Sequence, residues 1–286
     1  MRLLAHIAFF DAGSAPTAQS TAASGPGKKK VSTSSRNATF DALSLQLEEM
    51  EARYRMFDSI LAVVDVNREN AFQQRLWDWT PRARTPRTRL SVHVAVHHNL
   101  SHPFRTTWAH RAHVAACLEA YEWFLYCEAD VLVPAVAMQS QLELALPLYQ
   151  RRQKLLGFTR MVSNANGEIF FSDIRKPVQR DSIFQEPGLG SFGVPDNSYA
   201  AAWAYPRHIM RAFVRSNDWL PTLRATRGMR ERAGNGWRSG GIVVRLDNVT
   251  ALRIFHVGKS GVFYVRRRGF NSLPADQLLP KLIQQT

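Results

Sequence analysis

Residues Leu3 to Phe10 form a short, nearly continuous apolar run, the pattern of a strand buried on both faces of an α/β sheet. Phe40, Leu43, Leu47, Met50, Tyr54 and Phe57 then recur at spacings of three and four. That periodicity predicts an amphipathic helix, with Thr39 placed to cap it. Ser59 to Val66 is rich in Ile, Val and Leu, so the first three elements read β-α-β, the unit that builds a parallel sheet. Leu90 to His97 predicts a third strand ending in two histidines, His97 and His98. Helical spacing follows from Trp108 to Tyr121, and the wholly apolar run Trp123 to Cys127 belongs in the middle of the sheet.

The second half is more mixed. A helix is expected from Pro134 to about Arg152. Leu155 to Val162 and Glu168 to Ile174 read as strands of a hairpin around Asn164 to Gly167. Arg175 to Asn197 carries Gly188, Gly190, Gly193 and three prolines with little periodicity, and is expected to be a substrate loop. Ala200 to Tyr205 leads through Pro206 into a helix to about Val214. Ile242 to Leu246 and Val249 to Val257 then read as strands flanking Asp247 and Asn248. Asp11 to Asn37 is Ala, Ser, Thr, Gly and Pro with a lysine triplet, which predicts a disordered insertion or loop. The expected architecture is one α/β domain over residues 1–286: a mostly parallel central sheet, helices on both faces and a small antiparallel extension.

Composition narrows the class. With 45% hydrophobic and 21% charged residues, a disordered, collagenous or repeat protein is excluded. Two cysteines exclude a disulfide framework and a four-thiolate zinc site. Lys and Arg outnumber Asp and Glu by 37 to 23, a net charge of +14 that favours an anionic partner. The basic residues are scattered and form no stripe along one helix, so nucleic acid is not the expected partner, although a basic nucleic-acid-binding protein stays open as an alternative. No run reaches the roughly 20 apolar residues of a membrane span. Met1 to Phe10 is too short for a secretory signal. Asn37, Asn99 and Asn248 each head an Asn-x-Ser/Thr site, a pattern compatible with the secretory pathway.

The sharpest chemical feature is Glu128-Ala129-Asp130, directly after the apolar strand ending at Cys127. Ligands of open α/β sheets bind outside the carboxyl ends of strands, where these acids would emerge. Two carboxylates one residue apart can share a divalent cation and leave its other positions to water and substrate phosphates. A solvated strand end with incidental acids is the competing explanation. His93 and His97, four residues apart on one strand, lie about 13 Å apart and are not a zinc site.

Glu128-Ala129-Asp130 resembles the Asp-x-Asp motif of GT-A fold nucleotide-sugar glycosyltransferases, with Glu in the first place. Four further pieces agree in order: Ala5 to Phe10, Thr107-Trp108-Ala-His110-Arg111, the unit from Asn197-Ser-Tyr199 to Trp219, and Phe255-His256-Val-Gly-Lys259. The resemblance covers about Leu3 to Val265. It implies a GT-A-like, Rossmann-type fold with a nucleotide-binding half over 3–134, an acceptor-side half over 135–265 and a basic tail over 266–286. It also implies a nucleoside-diphosphate sugar donor, a glycan or glycoprotein acceptor, and Mn²⁺ or Mg²⁺ held by Glu128, Asp130 and His256. Arg111, His110 and Lys259 would face the diphosphate with Ala129 beside it. Glu231 or Asp196 would be the base of an inverting site. Each has a plainer reading: a helix-surface Arg111, a solvated Lys259, a core or surface His256, a charged helix face around Glu231 and a turn at Asp196. A Golgi lumen setting is implied if an amino-terminal anchor is missing from this chain. A degenerate relative that binds without turnover is the remaining alternative.

Overall fold

A computed structural model describes residues 1–9, 33–67, 76, 90–98, 100, 103–163, 169–171, 178–195, 198–220, 233–237 and 240–257. In chain order its elements are β1 (Arg2–Phe9), α1 (Thr33–Arg53), β2 (Ser59–Val66), β3 (Leu90–Val96), α2 (Thr106–Ala116), β4 (Trp123–Glu128), β5 (Val131–Leu132), α3 (Ala135–Arg152), β6 (Leu155–Leu156), β7 (Thr159–Ser163), β8 (Ile169–Phe171), β9 (Phe184–Glu186), β10 (Gly190–Gly193), β11 (Ala202–Pro206), α4 (Arg207–Val214), β12 (Ile242–Arg245) and β13 (Arg253–His256).

The central sheet has the order β11-β4-β1-β2-β3. The strands β1 to β4 are parallel and β11 is antiparallel to β4. Alternation along each strand divides the core in two. Leu3, Ala5, Ile7 and Phe9 of β1 pack with Phe40, Leu43, Leu47 and Met50 of α1. Leu4 and Ala8 face the other way, into a cluster with Val114 of α2, Phe124 and Tyr126 of β4, Trp203 and Tyr205 of β11, and Phe213 of α4. Leu43, Leu47 and Met50 are fully buried, each contributing about 1.5–3 kcal/mol. Two small sheets, β6-β12-β10-β9 and β5-β13-β7-β8, complete the fold. The mostly parallel α/β class and the opening β-α-β unit are as the patterning predicts.

Several local expectations are corrected. Helix α1 begins at Thr33, so Thr39 lies inside it and does not cap it. The polar segment expected to be a loop therefore ends before Thr33, and residues 10–32 are outside the described ones. The run Leu155 to Val162 is two strands in different sheets, β6 beside β12 and β7 beside β13. Gly157 and Phe158 separate them, and Gly157 has Ile242 of β12 so close that a Cβ would collide with it. Within Arg175 to Asn197, β9 and β10 form an antiparallel hairpin. The antiparallel pair expected on either side of Asn164 to Gly167 forms between β7 and β8, whereas the residues from Ile242 to Val257 make no such pair. Val249–Leu252 is a 3₁₀ turn, with the Asn248 side chain accepting the Ala251 N–H, and β12 and β13 join separate sheets. Backbone pairing across the fold overrides local patterning at these short strands.

Candidate functional site

The chain changes sheets at Glu128-Ala129-Asp130. Strand β4 stays tied to the central sheet through its last residues: Glu128 N–H donates to Ala201 C=O and Ala129 N–H to Ala8 C=O, both at 3.0 Å. Immediately afterwards β5 pairs with β13, His256 opposite Val131, and Val257 N–H donates to Asp130 C=O at 2.9 Å. The two acids therefore stand at the corner where one ladder ends and another begins.

Helix α1 pins that corner from beneath. Gln46 Oε1 accepts the Val133 N–H at 2.6 Å, Tyr54 donates its hydroxyl to Val133 C=O at 2.8 Å, and Glu49 accepts the Ala135 N–H at 2.8 Å. Pro134 at the N-cap of α3 offers no side-chain cap, so the Glu49 carboxylate satisfies an orphan amide at the positive end of that helix.

Asp130 and His256 meet although 126 residues apart, with Nε2 3.0 Å from Oδ2. The imidazole is 3% exposed and the carboxylate 18%. Glu128, also buried, accepts a 2.8 Å hydrogen bond from the Tyr199 hydroxyl. The Tyr199 ring lies beneath the guanidinium of Arg160, 4.8 Å from its Cζ, and Arg160 is itself buried. Tyr199 lies in the Asn197-Ser-Tyr199 piece quoted above but carried no role there, and the signal for Arg160 was an arginine within an otherwise apolar strand run. Beside the corner, burial and then the charges of Glu128 and Asp130 push the Cys127 thiol well up, so it stays protonated and unreactive.

The donor set can be compared with the cation implied above. Among the described residues no three His, Cys, Asp or Glu side chains form a ready metal cage. Mg²⁺ and Mn²⁺ do not require one, since one or two protein ligands plus phosphates and water suffice. The 3.0 Å between Asp130 Oδ2 and His256 Nε2 matches the edge of an octahedron with bonds of about 2.1 Å. A carboxylate oxygen beside an imidazole nitrogen is a mixed donor pair, the oxygen suiting Mg²⁺ or Mn²⁺ and the imidazole a transition-metal ion.

Other expected contacts are placed elsewhere. Arg111 is in the second turn of α2, not at its start, and is 4% exposed. Its guanidinium stacks 3.9 Å from the Trp108 ring centroid and 4.9 Å from that of Trp219, and donates to the carbonyls of Asp218 and Trp219. Burial lowers its pKa to about 9. Arg111 therefore locks the segment after α4 onto α2 and is not a diphosphate clamp. His110 is buried among the rings of Tyr126, His6 and Trp203. The Ala129 methyl is in the core and its N–H is taken by Ala8. Lys259, Glu231 and Asp196 lie outside the described residues.

No known protein family matches the chain, and no curated protein sequence matches it. A solved structure of 4-diphosphocytidyl-2C-methyl-D-erythritol synthase from Anaerococcus prevotii aligns over 93% of this chain and 97% of its own, at 9% identity and a TM-score of 0.34. Similarity of that degree carries nothing about ligand or activity.

Proposed function

We propose that the protein is a metal-dependent glycosyltransferase that moves a sugar from a nucleoside-diphosphate sugar to a glycan or protein hydroxyl. The observation that carries this reading is the Asp130–His256 contact at the carboxyl end of β4. In the order β11-β4-β1-β2-β3 the chain builds to one side of β1 with β2 and β3 and to the other with β4. Ligands of open α/β sheets enter at such a switch point.

Mn²⁺ or Mg²⁺ supplies charge neutralisation for the departing diphosphate. Asp130 and His256 are the groups to hold it, and the α1 contacts keep their corner rigid. Tyr199 fixes the direction of the Glu128 carboxylate, and Arg160 packs over the Tyr199 ring. Binding without turnover is the second reading. It is favoured by the Glu128 carboxylate being buried and already engaged by Tyr199.

Thermal unfolding with UDP or GDP, with and without Mn²⁺, tests the proposal. Ligand at about a hundred times its Kd adds about 2.7 kcal/mol, a rise in Tm of about 5 °C or more for a chain of this size. That rise is expected only with Mn²⁺ present and is expected to disappear in Asp130→Ala. Absence of any metal-dependent shift with either diphosphate sinks the reading. A shift with no sugar release or transfer by mass spectrometry selects binding without turnover.

A further inference from the structure

A second polar cluster lies on the face of the central sheet that packs against α2. Asp65 of β2, 1% exposed, accepts from two imidazoles at 2.7 Å, His6 Nδ1 on one oxygen and His97 Nε2 on the other. His6, also 1% exposed, places Nε2 3.0 Å from Nδ1 of His113 on α2. Four side chains thus form a continuous hydrogen-bonded string from the carboxyl end of β3 to a helix on the sheet face.

The carboxylate fixes two of the protons in this string. Burial opposes the Asp65 charge, but the adjacent His6 and the bonds from His6 and His97 outweigh it and hold the carboxyl at about 2. An ionised carboxylate only accepts. His6 therefore carries a proton on Nδ1 and His97 on Nε2. His6 Nε2 and His113 Nδ1 share the remaining hydrogen bond of the string. His97 Nδ1 is left as an acceptor with no hydrogen-bond partner among the described residues, on a side chain 26% exposed.

We propose that Asp65, His6, His97 and His113 form an acid–base site in which His97 Nδ1 takes a proton from a ligand presenting an O–H or N–H group. The ligand's X–H bond breaks, its electron pair remains on X, and the proton binds the Nδ1 lone pair. Asp65 faces the imidazolium that results, which is how a buried carboxylate orients and supports a histidine base. His93 of β3, His110 and Arg111 of α2, and Tyr126 of β4 are the other titratable groups around the string. Asp65 is the carboxylate of the string, and its charge lies directly against an imidazolium formed on His97. The site is independent of the sugar-transfer reading: β3 stands three strand spacings, about 14 Å, from β4.

Diethyl pyrocarbonate, which acylates an imidazole lone pair, tests the site on the full chain at neutral pH, with peptide mapping by mass spectrometry. His208, exposed on α4 and outside the string, is the internal reference. His97 is expected to react faster than His208, its lone pair made more basic by the carboxylate behind it. Asp65→Asn is expected to bring His97 down to the reference rate and leave His208 unchanged. In ¹⁵N spectra of the unmodified protein, neutral His97 is expected as the Nε2–H tautomer, and His6 is expected to carry a proton on Nδ1. A His97 no faster than His208, or protonated at Nδ1 when neutral, overturns the proposal. Both of these readouts use the natural sequence, so neither depends on whether the variant folds.

Discussion

Alternate residues of the same strands build two very different faces of the central sheet. Toward α1 the side chains of β1 are Leu3, Ala5, Ile7 and Phe9, packed on Phe40, Leu43, Leu47 and Met50 of the helix. Toward α2 the same strand offers Leu4, His6 and Ala8, and its neighbours add Asp65, Tyr126 and Trp203, with His110 and Arg111 coming down from the helix. The first face is held by dispersion and water exclusion, which tolerate any side chain of the right volume. The second is held by directed bonds between groups that are costly to bury alone. One face supplies stability in bulk. The other fixes the positions of a few polar atoms, and the Asp65 string belongs to it, whereas the acid corner sits at the carboxyl edge of the sheet and is held from the α1 side.

The contrast can be broken by experiment. Asp65→Ala strips two buried imidazoles of their acceptor and is expected to cost about 4 kcal/mol in urea unfolding. Leu47→Ala, fully buried on the opposite face, is expected to cost about 3 kcal/mol and to leave the pH dependence of stability unchanged. If Leu47→Ala altered that pH dependence, the two faces would not be separable. Tyr199→Phe removes one donor from the Glu128 carboxylate and should cost about 2 kcal/mol, while abolishing the Mn²⁺-dependent Tm rise if Glu128 must be held for binding.

The smallest effect is pH. Burial, then His6 and Arg111, holds His110 well below the usual 6.5. Below that value the unfolded chain takes up a proton that the folded chain refuses, so stability falls as pH drops from about 6.5, by at most about 1.4 kcal/mol per pH unit for this group. His110→Phe should flatten that slope in urea titrations at pH 7 and pH 5.5. Asp65 acts in a separate window. Its folded value of about 2 lies below the ordinary 3.8, so its contribution is complete above about 3.8 and lost as pH falls toward 2.

Long periodic elements were legible in the chain: β2, α3 and α4 fall where the patterning puts them, and β4 lies inside the sheet. Short strands were not. The pairs β6 and β7, and β12 and β13, are each split between sheets because a two- to five-residue strand takes its partner from the fold and carries too few positions to show a period. For the acid corner, the residues Glu128, Asp130 and His256 could be named from sequence, and so could their order along the chain. Arg111 was misread because its place near the start of an amphipathic helix suggested an anion, whereas Trp108, Trp219 and two carbonyls enclose it.

By itself the sequence determined which stretches alternate, which are continuously apolar, and hence an α/β layering, because these properties are local and periodic. Only the tertiary structure decided that His256 reaches Asp130 across 126 residues, that Tyr199 reaches Glu128 across 71, and that His6 and His97 share Asp65. Those contacts depend on strand order and register, where a shift of one residue turns every side chain to the opposite face, and no short window of residues carries that information.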